Sequence, residues 1–228
     1  MDIQIIKETT DFLVVFKPSE LPTVPLKTKS KTTLLELVAK DNPEILNVKG
    51  FHPWEGGVLH RLDTATQGLV LIAKTQAFFD FIKHQQHEGK FFKEYYAKLS
   101  SLGHSENSWP ECPYSLKEGK ICISSYFRAF GKNRSEVRPA LASTEKNATQ
   151  NTYDTMIKSI SEDEVLCQIS KGFRHQIRCH LAWMGHPIKG DLLYSEKQES
   201  PLTTLNFSCS KLFIPEYGPV SIDFPTFD

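Results

Sequence analysis

Several absences narrow this chain before any motif is read. No apolar stretch approaches the roughly twenty residues of a membrane-spanning helix. The start, Met1-Asp2-Ile3-Gln4, shows no basic segment leading into an apolar run, so no secretory leader is expected and a cytoplasmic protein is the default. The 5 cysteines, Cys112, Cys122, Cys167, Cys179 and Cys209, are scattered and form no Cys-x-x-Cys pair. That argues against a disulfide framework or a cysteine-based zinc site and reads as reduced packing residues. No dinucleotide or phosphate-loop fingerprint, internal repeat or low-complexity tract is present.

Net charge is also missing, since 27 basic residues balance 27 acidic ones. Nucleic-acid binders often carry a basic excess, yet affinity follows the local patch and not the sum. Basic residues do cluster, as Lys27, Lys29 and Lys31, as Lys83, Lys90 and Lys93, and as Arg128, Lys132, Arg134 and Arg138. Each run reads equally well as a solvated face. A neutral total implies modest nonspecific affinity, with shape or specific contacts contributing.

What is present is a globular composition, 39% hydrophobic with 15 Phe in 228 residues, enough for one large domain or two small ones. Residues 3–7 and 12–16 read as a strand hairpin, and 68–73 as a buried strand. Thr32-Thr33 and Lys74-Thr75 each open a helix, the second with Phe78, Phe81, Ile82 and Gln85 on one face and Gly89 as its stop. Strands are expected at 91–100, 121–127, 151–158, 164–170, 204–209 and 219–223, and a helix over 174–184 that Gly185 ends. The rest of 101–150 is polar and broken by Pro110, Pro113 and Pro139, which reads as a variable insertion or mobile loop. Hairpins interrupted by helices give an α+β sheet protein with an antiparallel component. His84 and His87 stand i, i+3 with no acid close in sequence, so an exposed helix end is the expectation, not a metal site.

One string carries chemistry: His60-Arg61-Leu62-Asp63-Thr64-Ala65-Thr66-Gln67-Gly68-Leu69-Val70-Leu71-Ile72. A lone carboxylate sits just before a buried strand, where a rigid scaffold can present an accessible group. By local composition Asp63 is a turn former or a cap. The longer pattern changes that reading. His60-Arg61-Leu62-Asp63-x-x-Thr66-x-Gly68-Leu69 resembles the signature of RluA-type pseudouridine synthases. Three further stretches resemble that family, in its order. They are Phe12-Leu13-Val14-Val15-Phe16-Lys17-Pro18 with Leu21-Pro22, then Lys93-Glu94-Tyr95-Tyr96-Ala97, then Gly172 through Leu181 continuing into Gly185-His186-Pro187-Ile188-Lys189-Gly190-Asp191. Gln67, Phe173-Arg174 and Leu205-Asn206 depart from the usual residues.

The resemblance implies the pseudouridine synthase fold, a long mixed, mostly antiparallel sheet with flanking helices and a central cleft. It implies one catalytic domain over 1–228, without the S4-like RNA-binding module that many relatives carry first. The implied reaction isomerises uridine in structured RNA, ribosomal or transfer, to pseudouridine, with no cofactor and no metal. Asp63 is the implied catalytic carboxylate, Arg178 the cation that keeps it ionised and oriented, and Tyr95 the phenol that stacks on the base or handles a proton. Arg61 is expected to fill the space a flipped base leaves or to hold phosphate. His60, Leu62, Ile177 and Lys93 complete the expected substrate pocket. Tyr96, on the opposite strand face, is assigned to packing, and His175 and His180 to structural hydrogen bonds. The expected partner is RNA, with no membrane and no dinucleotide, and a monomer is the default. Two other readings compete. A noncatalytic RNA-binding or assembly protein could keep the fold without Asp63, Tyr95 and Arg178 together, and a nucleosidase or glycosidase usually needs two acids.

Overall fold

The structure, a computed structural model, describes residues 3–25, 32–100, 109–116, 119–195 and 204–223. Those residues fall into two compact units. One lies within Met1–Lys93 and Ser208–Phe224, the other within Glu94–Phe207.

In the first unit, β1 (Ile5–Glu8) and β2 (Phe12–Lys17) form the expected antiparallel hairpin, and β2 pairs antiparallel with β3 (Gln67–Ala73). Phe12 through Val15 and Leu69 through Ala73 are all fully buried. Strands buried on both faces read as continuous apolar runs, which is why these two segments are plain in the sequence. Thr33 caps α1 (Leu34–Val38) through a reciprocal bond with Glu36, and Pro43–Asn47 follows as a 3-10 turn. Thr75 caps α2 (Gln76–His87), whose Phe78, Phe79 and Ile82 are buried. Phe78 stacks on Phe12 at 4.6 Å. The inward face therefore turns through Phe79, which the sequence reading left out, while Phe81 is half-buried.

Later in the chain come β4 (Phe92–Lys98), β5 (Lys120–Phe130), β6 (Glu136–Ala140), β7 (Tyr153–Ser159), β8 (Glu164–Ile169), α3 (Gln176–Trp183), β9 (Phe207–Ile214) and β10 (Gly218–Ser221). The last two complete the first unit. β9 pairs antiparallel with β10 and, at Gln67↔Ser208 and Gly68↔Cys209, parallel with β3. Gly68 has φ +121, and a Cβ there would stand 2.4 Å from the Cys209 carbonyl oxygen, so a side chain would push the two strands apart.

The second unit orders its strands β4-β8-β7-β5-β6. The β5–β7, β7–β8 and β5–β6 pairs are antiparallel, and α3 packs against β6 and β7. Alternate residues of β5, Ile123, Ser125 and Phe127, are buried, the pattern of a strand with one covered face.

Within 101–150 the strand expected at 121–127 is β5, and it pairs in register with β6, a strand that the sequence pattern did not predict. β6 was hidden by Pro139 and by charged residues, both tolerated because it ends the strand order. The basic runs also change character. Lys27, Lys29 and Lys31 lie outside the described residues. Lys93 and Arg138 are buried, and Arg138 lies 3.3 Å from the Phe130 ring centroid and pairs with Glu136 at 3.2 Å. All 5 cysteines are free thiols. No helix among the described residues is long and apolar enough to cross a membrane.

Candidate active site

Asp63 is half-buried on a turn that ends as β3 begins, and its carbonyl accepts from the Thr66 N–H at 3.0 Å. The turn is fastened to the segment after β2. The Thr23 hydroxyl donates to the Leu62 carbonyl at 2.9 Å and accepts from the Leu62 N–H at 3.1 Å. Ser19 Oγ donates to the Ala65 carbonyl at 2.8 Å. Lys17 Nζ donates to the carbonyls of Pro18, Leu21 and Thr64 at 2.9, 2.7 and 3.1 Å. Every carbonyl from Leu62 to Ala65 is thus an acceptor, which holds the backbone on both sides of Asp63.

Lys17 is fully buried. Burial pushes its pKa from 10.5 down to about 8, while the Asp63 and Glu20 carboxylates pull it back up. The Lys17 ammonium is thus attracted to the Asp63 carboxylate while its hydrogen bonds go to the backbone around it. In the sequence Lys17 stands within a string that resembles the family, with no role attached to it. Its signal was a lysine ending an otherwise apolar buried strand, immediately before Pro18.

The residues before Asp63 are braced. The Leu71 N–H donates to His60 Nε2 at 3.1 Å, so Nε2 is an acceptor and the neutral ring carries its proton on Nδ1. Burial, with Lys93 adding to it, lowers the His60 pKa well below its ordinary value, and the ring stays neutral. Gln86 Nε2 donates to the Leu59 carbonyl at 3.0 Å. These contacts give His60 a bracing task. Leu62 is buried. Arg61 leaves 59% of its side chain exposed while Nη1 donates to the buried Glu55 at 2.8 Å. Lys93 is buried with its Nζ 5.2 Å from the Phe91 ring centroid, and desolvation lowers its pKa to about 8.

Tyr95 and Arg178 belong to the second unit. Tyr95 is 6% exposed and stacks on Phe207, centroids 5.1 Å apart and planes at 15°. One ring face is therefore occupied by protein. Tyr96, on the other strand face, donates its hydroxyl to Glu164, and burial together with that carboxylate raises its pKa. Arg178 is 8% exposed, not a surface arginine. Its Nε and Nη2 donate to Asp191 Oδ2 and Oδ1 at 2.7 and 2.8 Å, a bidentate pair. Asp191 Oδ1 also accepts the Leu193 and Tyr194 N–H groups at 3.0 and 3.3 Å. Asp191 stood in a matched string but was given no task, and its role emerges only when α3 and the following turn fold together.

All eight residues of α3 are buried, which polar residues tolerate only when paired. His180 Nε2 and Nδ1 meet Ser125 Oγ at 2.9 Å and Thr155 Oγ1 at 2.8 Å, and burial lowers its pKa to about 3. Gln176 donates to the Asp154 carbonyl at 2.9 Å, and His175 Nδ1 lies 3.0 Å from Tyr194 Oη. The two histidines make hydrogen bonds as expected. Ile177 is buried beside Arg178. No metal-ligating cluster is found among the described residues.

The model of a family described as RNA pseudouridylate synthase matches residues 11–183. Over 199 residues the chain is 28% identical to human pseudouridylate synthase RPUSD2, covering 87% of this chain and 32% of that protein. Over 233 residues it is 28% identical to the dual-specificity RNA pseudouridine synthase RluA of Salmonella typhi, covering 94% and 88%. Among solved structures it is similar to human RNA pseudouridylate synthase domain containing 1, with a TM-score of 0.69, 22% identity and coverage of 99% and 84%. That likeness shows the fold. The chain spans 32% of the human and mouse RPUSD2 proteins and 47% of RNA pseudouridine synthase 7 of Arabidopsis thaliana.

Proposed function

The chain belongs to the RNA pseudouridylate synthase family, and on that premise we propose that it converts uridine within structured RNA, ribosomal or transfer, to pseudouridine. Asp63 acts at the ribose C1′ centre. The bond from C1′ to N1 breaks, the uracil turns, a bond from C1′ to C5 forms, C5 loses its proton and N1 gains one. The reaction is isomeric, so nothing is oxidised and no cofactor is consumed. Tyr95 and Arg178 complete the set of side chains assigned to the reaction, with Arg61, Leu62, His60, Ile177 and Lys93 lining the substrate. A cytoplasmic location and a monomer are the defaults that accompany this reading.

The observation that carries this proposal is the immobilised turn. An acid that must meet a sugar carbon gains from a backbone that does not move, because a small misplacement lowers the rate sharply. Lys17, Ser19 and Thr23 supply that fixation from a neighbouring segment. Asp63→Asn keeps the turn's backbone bonds and removes the charge. RNA carrying tritium at C5 of uridine should release tritium with the native protein and none with the variant, while the variant still binds RNA. Full release by Asp63→Asn refutes the assignment.

A further inference from the structure

The segment just before the Asp63 turn carries an aromatic display that the proposed chemistry does not use. Phe51 and Trp54, three positions apart in one loop, are 46% and 50% exposed, and Leu46 in the preceding 3-10 turn is 55% exposed. Large apolar side chains grouped on a surface mark a contact site more often than single ones do. Here the rings are held in place. The Trp54 indole stacks on the exposed His52 ring, centroids 5.0 Å apart and planes at 11°. Phe51 rests on the buried Phe79 at 5.3 Å.

The backbone beneath them is also held. Gly57 N–H donates to the Ile45 carbonyl at 2.8 Å, Ala73 N–H to the Gly57 carbonyl at 2.8 Å, and Glu55 N–H to the His52 carbonyl at 3.0 Å. Gln76 of α2 accepts the Lys49 N–H at 2.8 Å. Rings held this way lose little entropy when a ligand stacks on them.

Three cations belong to this part of the surface. Lys83 Nζ stands 5.9 Å from the Phe51 centroid, Lys49 is exposed, and Arg61 is largely exposed. The neighbouring acids each have a partner within the protein. Glu55 is buried under Arg61, Asp80 accepts from Gln76, and Glu44 pairs with Lys74. Exposed ring faces beside cations are the chemistry of single-stranded nucleic-acid binding, where bases stack and phosphates meet the charges. Glu55 links this loop to Arg61, two residues from Asp63.

We propose that the 49–57 loop is a stacking platform for unpaired nucleotides flanking the target uridine, with Trp54 and Phe51 taking bases and Lys49, Lys83 and Arg61 taking phosphates. The proposal rests on the reading of this chain as an RNA-modifying protein and adds the class of structure it prefers, a single-stranded stretch next to the modified base.

The test uses the full chain carrying Asp63→Asn, an eight-nucleotide single-stranded RNA with an end label, and a duplex of the same length. Anisotropy should show the single strand bound more tightly than the duplex. Adding Trp54→Ala or Phe51→Ala should each weaken the single-strand complex by about 5- to 100-fold, the range that base–aromatic stacking supplies. Trp54→Phe should restore most of the affinity, and Lys83→Gln should lower the slope of log affinity against log salt by about one. Single-strand affinity within twofold of the parent in both alanine variants overturns the platform. So does equal affinity for duplex and single strand. A protein segment as the true occupant would give that same unchanged affinity. Tritium release by the native chain, measured alongside, separates the two claims. Release with no effect of the alanine variants on affinity sinks only the platform, and ring-dependent RNA binding without release from any RNA sinks only the proposed reaction.

Discussion

Lys17→Met removes the buried ammonium that holds the Asp63 turn while nearly conserving volume. Three carbonyl acceptors, those of Pro18, Leu21 and Thr64, lose their donor. Hydrogen bonds to a charged group contribute roughly 1.5–3 kcal/mol each, so the gross loss is about 4–9 kcal/mol. Against that stands the cost of burying the charge. The fall of the Lys17 pKa from 10.5 to about 8 corresponds to roughly 3 kcal/mol at 1.36 kcal/mol per unit. The net destabilisation is therefore about 1–6 kcal/mol, and the melting temperature should drop by about 2–24 °C for a chain of this length. At a temperature where the variant stays folded, kcat/KM in the tritium-release assay should fall by about 10²-fold, as expected for a displaced reacting group. The pH dependence has a definite sign. Because the folded pKa lies below the unfolded one, the native state binds fewer protons between pH 8 and 10.5. The Lys17 burial penalty is thus fully present below about pH 8 and is relieved as pH rises towards 10.5. Denaturant unfolding should show the stability gap between native protein and variant widening by up to about 3 kcal/mol across that window. A variant with the native melting temperature, the native pH slope and native turnover would refute the reasoning.

Asp191→Asn should destabilise the protein by about 3–5 kcal/mol, because it leaves the buried Arg178 guanidinium without its carboxylate. Arg178→Met on top of it should recover part of that loss in thermal melts, and Arg178→Met alone should lower the rate of tritium release more than RNA affinity, an equal loss in both pointing to a phosphate contact. Gly68→Ala adds both a Cβ 2.4 Å from the Cys209 carbonyl oxygen and a strained φ of +121. It should cost about 2–5 kcal/mol, and an unchanged melting temperature would mean that β3 and β9 part without penalty.

Which features were legible in the sequence follows from how far each depends on distant residues. β2 and β3 were plain because strands buried on both faces need unbroken apolar runs. Thr33, Thr75 and the stops at Gly89 and Gly185 were plain because capping is settled within one helical turn. β6 was not, since the last strand in an order keeps polar residues and Pro139 without giving up its pairing. The burial of Lys93 and Arg138, which stand in basic runs, was not legible. A lysine buried against an aromatic ring and an arginine stacked on Phe130 look in one dimension like any surface cation.

The candidate site divides along the same line. Asp63, Tyr95 and Arg178 are proposed by resemblance, whose strings record which residue types recur together and not what each one does. The groups that hold two of them were missed in role although present in those strings. Lys17 lies 46 residues before Asp63, yet its electrostatic and hydrogen-bonding effect falls on that turn. Asp191 lies 13 residues after Arg178 and fixes both prongs of its guanidinium. A carboxylate and a guanidinium that must keep one orientation need partners that are themselves immobile, and immobility comes from burial. Burial of a charge is tolerated only when several donors or acceptors converge on it, as the three carbonyls do on Lys17 and the two backbone N–H groups do on Asp191. Such convergence joins segments that are remote or turn sharply between contacts, so no local pattern can announce it. In a candidate site of this kind the side chains proposed to react are the easier half to name, and the buried ions behind them need the fold.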